Sequence, residues 1–229
     1  MDFTTFEESA GVTFKNKDLL KQAFTHRSYI NENKNFPLGH NERLEFLGDA
    51  VLELVITNYL YKRFPEMNEG ELTSLRSALV NADTCSIVAA KLGANDYLLL
   101  SRGETKDLGR ARQYILANTL EAIIGAVYMD QGYDAAAHFI ESHVTPLTED
   151  IIERGTWIDA KSKFQAKAQE HEGVTPQYKT ISESGPDHDK HFTVGVYLRN
   201  VLYGKGDGKS KQDAEQEAAR NALNDKEWE

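Results

Sequence analysis

From residue 3 to about residue 150, apolar side chains recur at intervals of three and four and show no useful run of two-residue alternation. That spacing lines one face of an α-helix and cannot serve a half-buried strand, so this stretch is committed to helices packed on one another. Leu44, Leu47, Val51, Leu54 and Val55 make one such stripe, and Ile115, Leu116, Leu120, Ile123, Ile124 and Val127 make another. Breaks are expected where turn chemistry concentrates, at residues 35–40, 64–70, 93–96 and 102–110.

The pattern changes after Ile152. Residues 153–158 begin with the polar, glycine-containing run Glu-Arg-Gly-Thr and read as a linker, which divides the chain into 1–152 and 159–229. In the second part, Lys161 to His171 suits a helix. Gln177 to Ser182, His191 to Leu198 and Val201 to Lys205 carry the β-branched and aromatic content of strands, with Glu183 to Asp189 as a turn. Ser210 to Leu223, rich in Ala, Glu and Gln, reads as a closing helix. The expected fold is therefore an all-α domain followed by a small α+β domain of order α-β-β-β-α.

The chemistry concentrates in His40-Asn41-Glu42-Arg43-Leu44-Glu45-Phe46-Leu47-Gly48-Asp49-Ala50. On a helix, Glu45 and Asp49 share a face and Glu42 lies a turn earlier on nearly the same side. Like charges at that spacing weaken a helix, so the group is either a solvated acidic face partly screened by Arg43 or a site for a divalent cation. A second segment bears on the choice. Asn118 and Glu121 interrupt an otherwise strongly apolar helix, where polar oxygens seldom face a dry core without a partner. Gly48, Ala50, Ala122, Gly125 and Ala126 would let the two helices approach closely, bringing Glu45, Asp49, Asn118 and Glu121 around one point. Four hard oxygen ligands suit Mg²⁺, or Mn²⁺ in its place, better than zinc, and two-ion phosphodiester hydrolysis needs such a site.

The nine-residue run Asn-Glu-Arg-Leu-Glu-Phe-Leu-Gly-Asp, with Thr25-His26-Arg27-Ser28 upstream and Glu-Ala-Ile-Ile-Gly-Ala-Val-Tyr downstream, closely resembles the bacterial ribonuclease III family. The resemblance covers essentially the whole chain. It implies a homodimeric, Mg²⁺-dependent endoribonuclease of double-stranded RNA that leaves 5′-phosphate and 3′-hydroxyl ends, acts in rRNA and mRNA processing, and uses no small-molecule organic cofactor. It also implies metal-ligand or neighbouring roles for Glu45, Asp49 and Glu121, with Asp49 and Glu121 the most directly catalytic. Glu42 and Glu69 match acidic positions lining the family's cleavage valley, and Phe46 matches a residue that plugs into the partner subunit. Asn118 stands where the family commonly has Asp: an amide oxygen can coordinate a hard cation but adds no charge, so a raised Mg²⁺ requirement is expected. His26 reads as a hydrogen-bonding residue of the helical core.

Residues 159–229 resemble a double-stranded-RNA-binding domain, which grips A-form RNA by shape. The resemblance puts Ser162 and Gln165 in the first helix and His188 in the Gly-Pro-x-His turn against minor grooves. It puts Lys209, Ser210 and Lys211 at the last helix's N-terminus against phosphates, where the helix dipole assists. A net charge of −10 runs against the basic footprint usual in nucleic-acid binders, but a total says nothing of local patches.

Two rival functions stay open at this point. One is a double-stranded-RNA-binding protein whose cleavage is attenuated by Asn118; the other is a hydrolase of small phosphate esters, for which the appended domain has no use. The N-terminal run MDFTTFEESAG lacks the basic and apolar regions of a secretory signal, no stretch suits a membrane span, and a cytoplasmic location is expected. The single cysteine, Cys85, reads as a small buried apolar residue.

Overall fold

A computed structural model describes residues 2–106, 109–155, 157, 159–186, 190–226 and 228. The chain divides into two compact units, 1–157 and 158–229.

In the first unit the helices are α1 (Thr4–Ala10), α2 (Lys17–Ala23), α3 (Arg27–Glu32), α4 (Glu42–Arg63), α5 (Glu69–Val80), α6 (Ala82–Lys91), α7 (Arg110–Gln131), α8 (Tyr133–His143) and α9 (Thr148–Arg154). Local chemistry sets their ends. Asn68 and Glu71 form a reciprocal capping box at the start of α5, and Asn81 ends that helix while its side chain caps α6. Short 3₁₀ turns at Ala94–Tyr97 and Glu104–Lys106 occupy two of the expected breaks. The long helices α4 and α7 make the most extensive contact in this unit, and α6 also packs against α7. Their inward stripes, including Leu52, Ile56, Leu60, Leu120, Ile123 and Ile124, are buried in one core with Phe6, Phe24 and Phe139.

Helix α9 carries through Glu153 and Arg154, which differs from the linker read from sequence. The Asp150–Arg154 ion pair spans a helical turn, and Gly155 supplies the left-handed residue that closes it. Trp157 packs on the first core, so the connecting stretch is shorter than its polar composition suggests.

The second unit contains α10 (Ala160–Glu172), β1 (Gln177–Ser184), β2 (His191–Leu198), β3 (Val201–Gly208) and α11 (Lys211–Lys226). The strands form an antiparallel sheet in the order β1-β2-β3. Arg199 and Asn200 both take left-handed backbone angles between β2 and β3, as a two-residue hairpin turn requires. Strand β1 runs on through Glu183 and Ser184, which the sequence reading gave to the turn, because both pair with β2. Strand β3 extends to Gly208, past the expected end at Lys205. A methyl at Gly206 would meet the Ala218 nitrogen at 2.2 Å, so β3 lies directly on the backbone of α11. Phe164, Val196, Leu198, Ala218 and Ala222 fill the small core beneath.

Candidate catalytic and RNA-binding sites

The acidic run starts from a fixed point. Asn41 is buried; its backbone N–H donates to the Thr25 carbonyl at 2.9 Å and its side chain to the Ala23 carbonyl at 3.3 Å. Its own carbonyl accepts from Leu44 and Glu45, which launches α4 in a set direction. Glu42 and Glu45 fall in the first turn, where negative charge complements the helix dipole.

The close approach of α4 and α7 then positions the rest. A methyl at Gly125 would lie 2.1 Å from the Leu44 carbonyl oxygen, and Gly48 is equally tight against Glu121, so the helices touch backbone to backbone at Glu121 itself and at Leu44, the neighbour of Glu45. The two glycines read from sequence as permitting contact are its centre.

Glu121 is partly buried, and its carboxyl is pushed up to about 7, first by burial and then by the charges of Asp49 and Glu45. Glu45 is raised by burial, then by Glu42 and Asp49; hydrogen bonding from the Asn118 side chain, the smallest effect, pulls it down. Asp49 and Asn118 are exposed; Asp49 acts on both Glu45 and Glu121 through its charge, and Asn118 reaches Glu45 by its hydrogen bond. These four residues therefore share one neighbourhood. Among the described residues, however, no three Asp, Glu, His or Cys side chains are drawn together tightly enough to hold a metal ion. Hard oxygens only, with the innermost carboxyl held against its preference for charge, are a donor set that fits a divalent cation.

Glu42 is engaged elsewhere: Arg27 lies 3.3 Å from one of its oxygens and His40 3.7 Å from the other. Glu69 opens α5, exposed, and its charge is not among those acting on Glu45 or Glu121. Phe46 projects from α4 next to Glu45 and is 81% exposed. His26 caps α3, with Nδ1 2.8 Å from the Ser28 hydroxyl, which in turn accepts from the Ser101 backbone. Burial holds its pKa below the ordinary value. Cys85 is fully buried on α6, and burial, then Glu121 and Asp49, push its thiol up to about 12, so it is an inert packing residue.

Arg112 is a residue that sequence reasoning missed. Only 8% exposed, it donates to the carbonyls of Glu104 and Thr105, both at 3.1 Å, and to the Asn95 side chain at 3.3 Å. It thereby fastens the segment before α7 to the helix carrying Asn118 and Glu121. A charged residue on the Ile115–Leu116 face of an apolar helix was the available signal.

In the second unit, Asp159 caps α10 by accepting from the Lys161 and Ser162 backbones, and the Ser162 hydroxyl donates to it at 2.8 Å. Gln165 is exposed one turn on. Ser210 caps α11: its hydroxyl accepts from the Asp213 N–H at 3.1 Å and donates to the Asp213 carboxylate at 2.8 Å. Lys209 is exposed beside it. Lys211 reaches across to Glu183 at 2.8 Å and lies over the Phe192 ring. His188 falls outside the described residues.

Comparison with known proteins identifies the family of each unit. Residues 16–147 match the family model described as Ribonuclease-III-like, and residues 160–226 match the double-stranded RNA binding motif. Ribonuclease 3 of Oceanobacillus iheyensis is 44% identical over 224 residues, 97% of each chain. Ribonuclease 3 of Enterococcus faecalis is 44% identical over 223 residues, 96% of this chain and 95% of that one. Among solved structures, the nuclease domain of ribonuclease III from Campylobacter jejuni is 39% identical, with a TM-score of 0.56 over 63% of this chain and 99% of that one.

Proposed function

This chain belongs to the ribonuclease III family and is an endoribonuclease of double-stranded RNA; from that premise we propose that Glu45, Asp49, Asn118 and Glu121 form its divalent-metal centre and that two copies of the chain act together. The observation that carries the proposal is Glu121: a carboxyl on an apolar helix, pushed up to about 7 beside two further acids, gains most from a cation. Bound there, Mg²⁺, or Mn²⁺ in its place, supplies a strong nucleophile from water at neutral pH and neutralises charge developing on the phosphodiester. The chain's own contribution is placement. Asp49 and Glu121, on facing helices locked together at Gly48 and Gly125, present the two carboxylates tied most directly to scission. Glu45 and Asn118 complete the oxygen set, Asn118 through a neutral amide. Glu42 adds negative charge beside Glu45, and Glu69 is assigned by family likeness alone to the lining of the cleavage valley.

Phe46 supports a homodimer, because a phenyl ring 81% exposed beside an active centre is a group that a second subunit would bury. The solved Campylobacter nuclease domain is described as having a region involved in dimer formation. In the second unit, Ser162, Gln165 and His188 are assigned to minor grooves, and Lys209, Ser210 and Lys211 to phosphates. Products with 5′-phosphate and 3′-hydroxyl ends, substrates among precursor rRNA and structured mRNA, and a cytoplasmic site of action complete the proposal. None of the described helices is long and apolar enough to cross a membrane.

The test is a comparison of wild type with Glu121→Gln on an end-labelled RNA duplex, with and without Mg²⁺. The variant is expected to keep binding the duplex while losing scission by orders of magnitude. Equal cutting by both proteins would remove Glu121 from the mechanism.

A further inference from the structure

Lys211 stands at the first turn of α11, the position assigned above to an RNA phosphate, yet its ammonium group is already paired. The partner is Glu183, the penultimate residue of β1, at 2.8 Å. Both side chains are near the surface, with 57% and 43% of their area exposed. The same ammonium lies 5.5 Å from the centre of the Phe192 ring, which further holds it over the strands. Lys211 lowers the Glu183 carboxyl by hydrogen bonding and by charge, and Lys190 adds to the effect, so Glu183 is an anion at neutral pH.

A carboxylate and a phosphate oxygen present the same thing to an ammonium, a compact anionic acceptor. The place where the phosphate must arrive therefore already carries a negative group that has to be displaced or endured. We propose that Glu183 is an internal competitor for Lys211, an affinity-tuning residue that lowers affinity for the RNA backbone and blunts its dependence on salt. This deepens, and rests on, the assignment of Lys211 to a phosphate.

The alternative role for the same contact is positioning, in which Glu183 holds Lys211 where the phosphate will come. The two roles have opposite signs. Under competition, Glu183→Gln frees the ammonium and removes a repelling charge, so duplex affinity rises; under positioning it falls. The size of the gain follows from the exposure of the pair: exposed ion pairs change equilibria by roughly two- to five-fold, not by orders of magnitude. Salt dependence gives a second readout. In wild type, Glu183 takes up a cation when RNA draws Lys211 away, which offsets counterions released from the RNA. Without that uptake, the plot of log affinity against log salt becomes steeper by up to about one ion.

The experiment measures binding of the full chain to a short RNA duplex without divalent cation, over a salt series, for wild type, Glu183→Gln, Lys211→Ala and the double variant. The expected results are tighter binding and a steeper slope for Glu183→Gln, weaker binding for Lys211→Ala, and little effect of Glu183→Gln once Lys211 is gone. Unchanged or weaker binding by Glu183→Gln, or an equal gain in the Lys211→Ala background, would overturn the proposal. Should Lys211→Ala bind as wild type does, the phosphate assignment itself is at fault, a failure the four proteins keep separate from the other.

Discussion

Gly48 of α4 lies directly against the backbone of Glu121 in α7: a methyl group on its α-carbon would fall 1.7 Å from the Glu121 carbonyl oxygen. Asp49 follows it immediately and Glu45 precedes it by one turn, so the helix contact and the carboxylate group are one feature seen from its two sides.

Gly48→Ala must separate the helices, since the obstructing atom is backbone and no side chain can swing away. Overpacking of this kind costs about 3 kcal/mol. Moving α4 outward also displaces Glu45 and Asp49 from Glu121, and catalytic geometry tolerates little displacement. The variant is expected to unfold at markedly lower urea concentration and to cut a duplex at least a hundredfold more slowly while still binding it. Wild-type melting would show that the helices have room the structure does not give them.

That contact was legible in the sequence because glycine and alanine recur within two apolar stripes of helical period, and a stripe with small residues admits a close neighbour. The sequence also placed Asn118 and Glu121 on the face toward Glu45. It could not show how strongly Glu121 is pushed toward its protonated form, because spacing fixes which face a side chain leaves from and not how deeply the packed helices bury it. Nor could it show that Lys211 is paired with Glu183, 28 positions earlier in the chain, since that contact depends on how β1 lies beside the start of α11. Arg112 escaped for a related reason: its partners among the described residues include the backbone carbonyls of Glu104 and Thr105, which carry no residue signature.

The raised carboxyl of Glu121 makes metal-free stability depend on pH in a defined direction. Folding favours its protonated form, so the group costs nothing below the ordinary value of 4.5, an increasing amount as pH rises toward about 7, and its full cost above that. Glu121→Gln removes the cost. In metal-free buffer the variant should match wild type near pH 4 and exceed it above pH 7 by on the order of 1–2 kcal/mol, the full shift being discounted for partial exposure. Saturating Mg²⁺ should close or reverse the gap, because only wild type retains the charge that binds it. Urea unfolding from pH 4 to 8, with chelator or with Mg²⁺, checks this, and a gap that narrows with rising pH would contradict it.

Phe46 exposes most of a phenyl ring beside Glu45. If a second copy buries it, Phe46→Ala should weaken self-association at least tenfold in sedimentation equilibrium without lowering the unfolding midpoint of the isolated subunit. Cleavage per subunit should then fall with dilution at concentrations where wild type is unaffected. Identical association by both proteins would mean that the ring faces solvent in the working enzyme.

Asn118→Asp should act in opposite directions with and without the cation. In metal-free protein it replaces an amide that steadies Glu45 with another negative charge, beside a group already raised by burial, Glu42 and Asp49. A lower unfolding midpoint follows, because like charges at this range repel. With Mg²⁺ present the same carboxylate contributes charge to the oxygen set, and affinity for a hard cation rises with ligand charge. The Mg²⁺ concentration giving half-maximal cleavage is therefore expected to fall several-fold, and the gain in melting temperature on adding Mg²⁺ is expected to exceed that of wild type. A variant that cuts no better at limiting Mg²⁺, and melts no earlier without it, would place Asn118 outside the centre and leave Glu45, Asp49 and Glu121 to bind the ion alone.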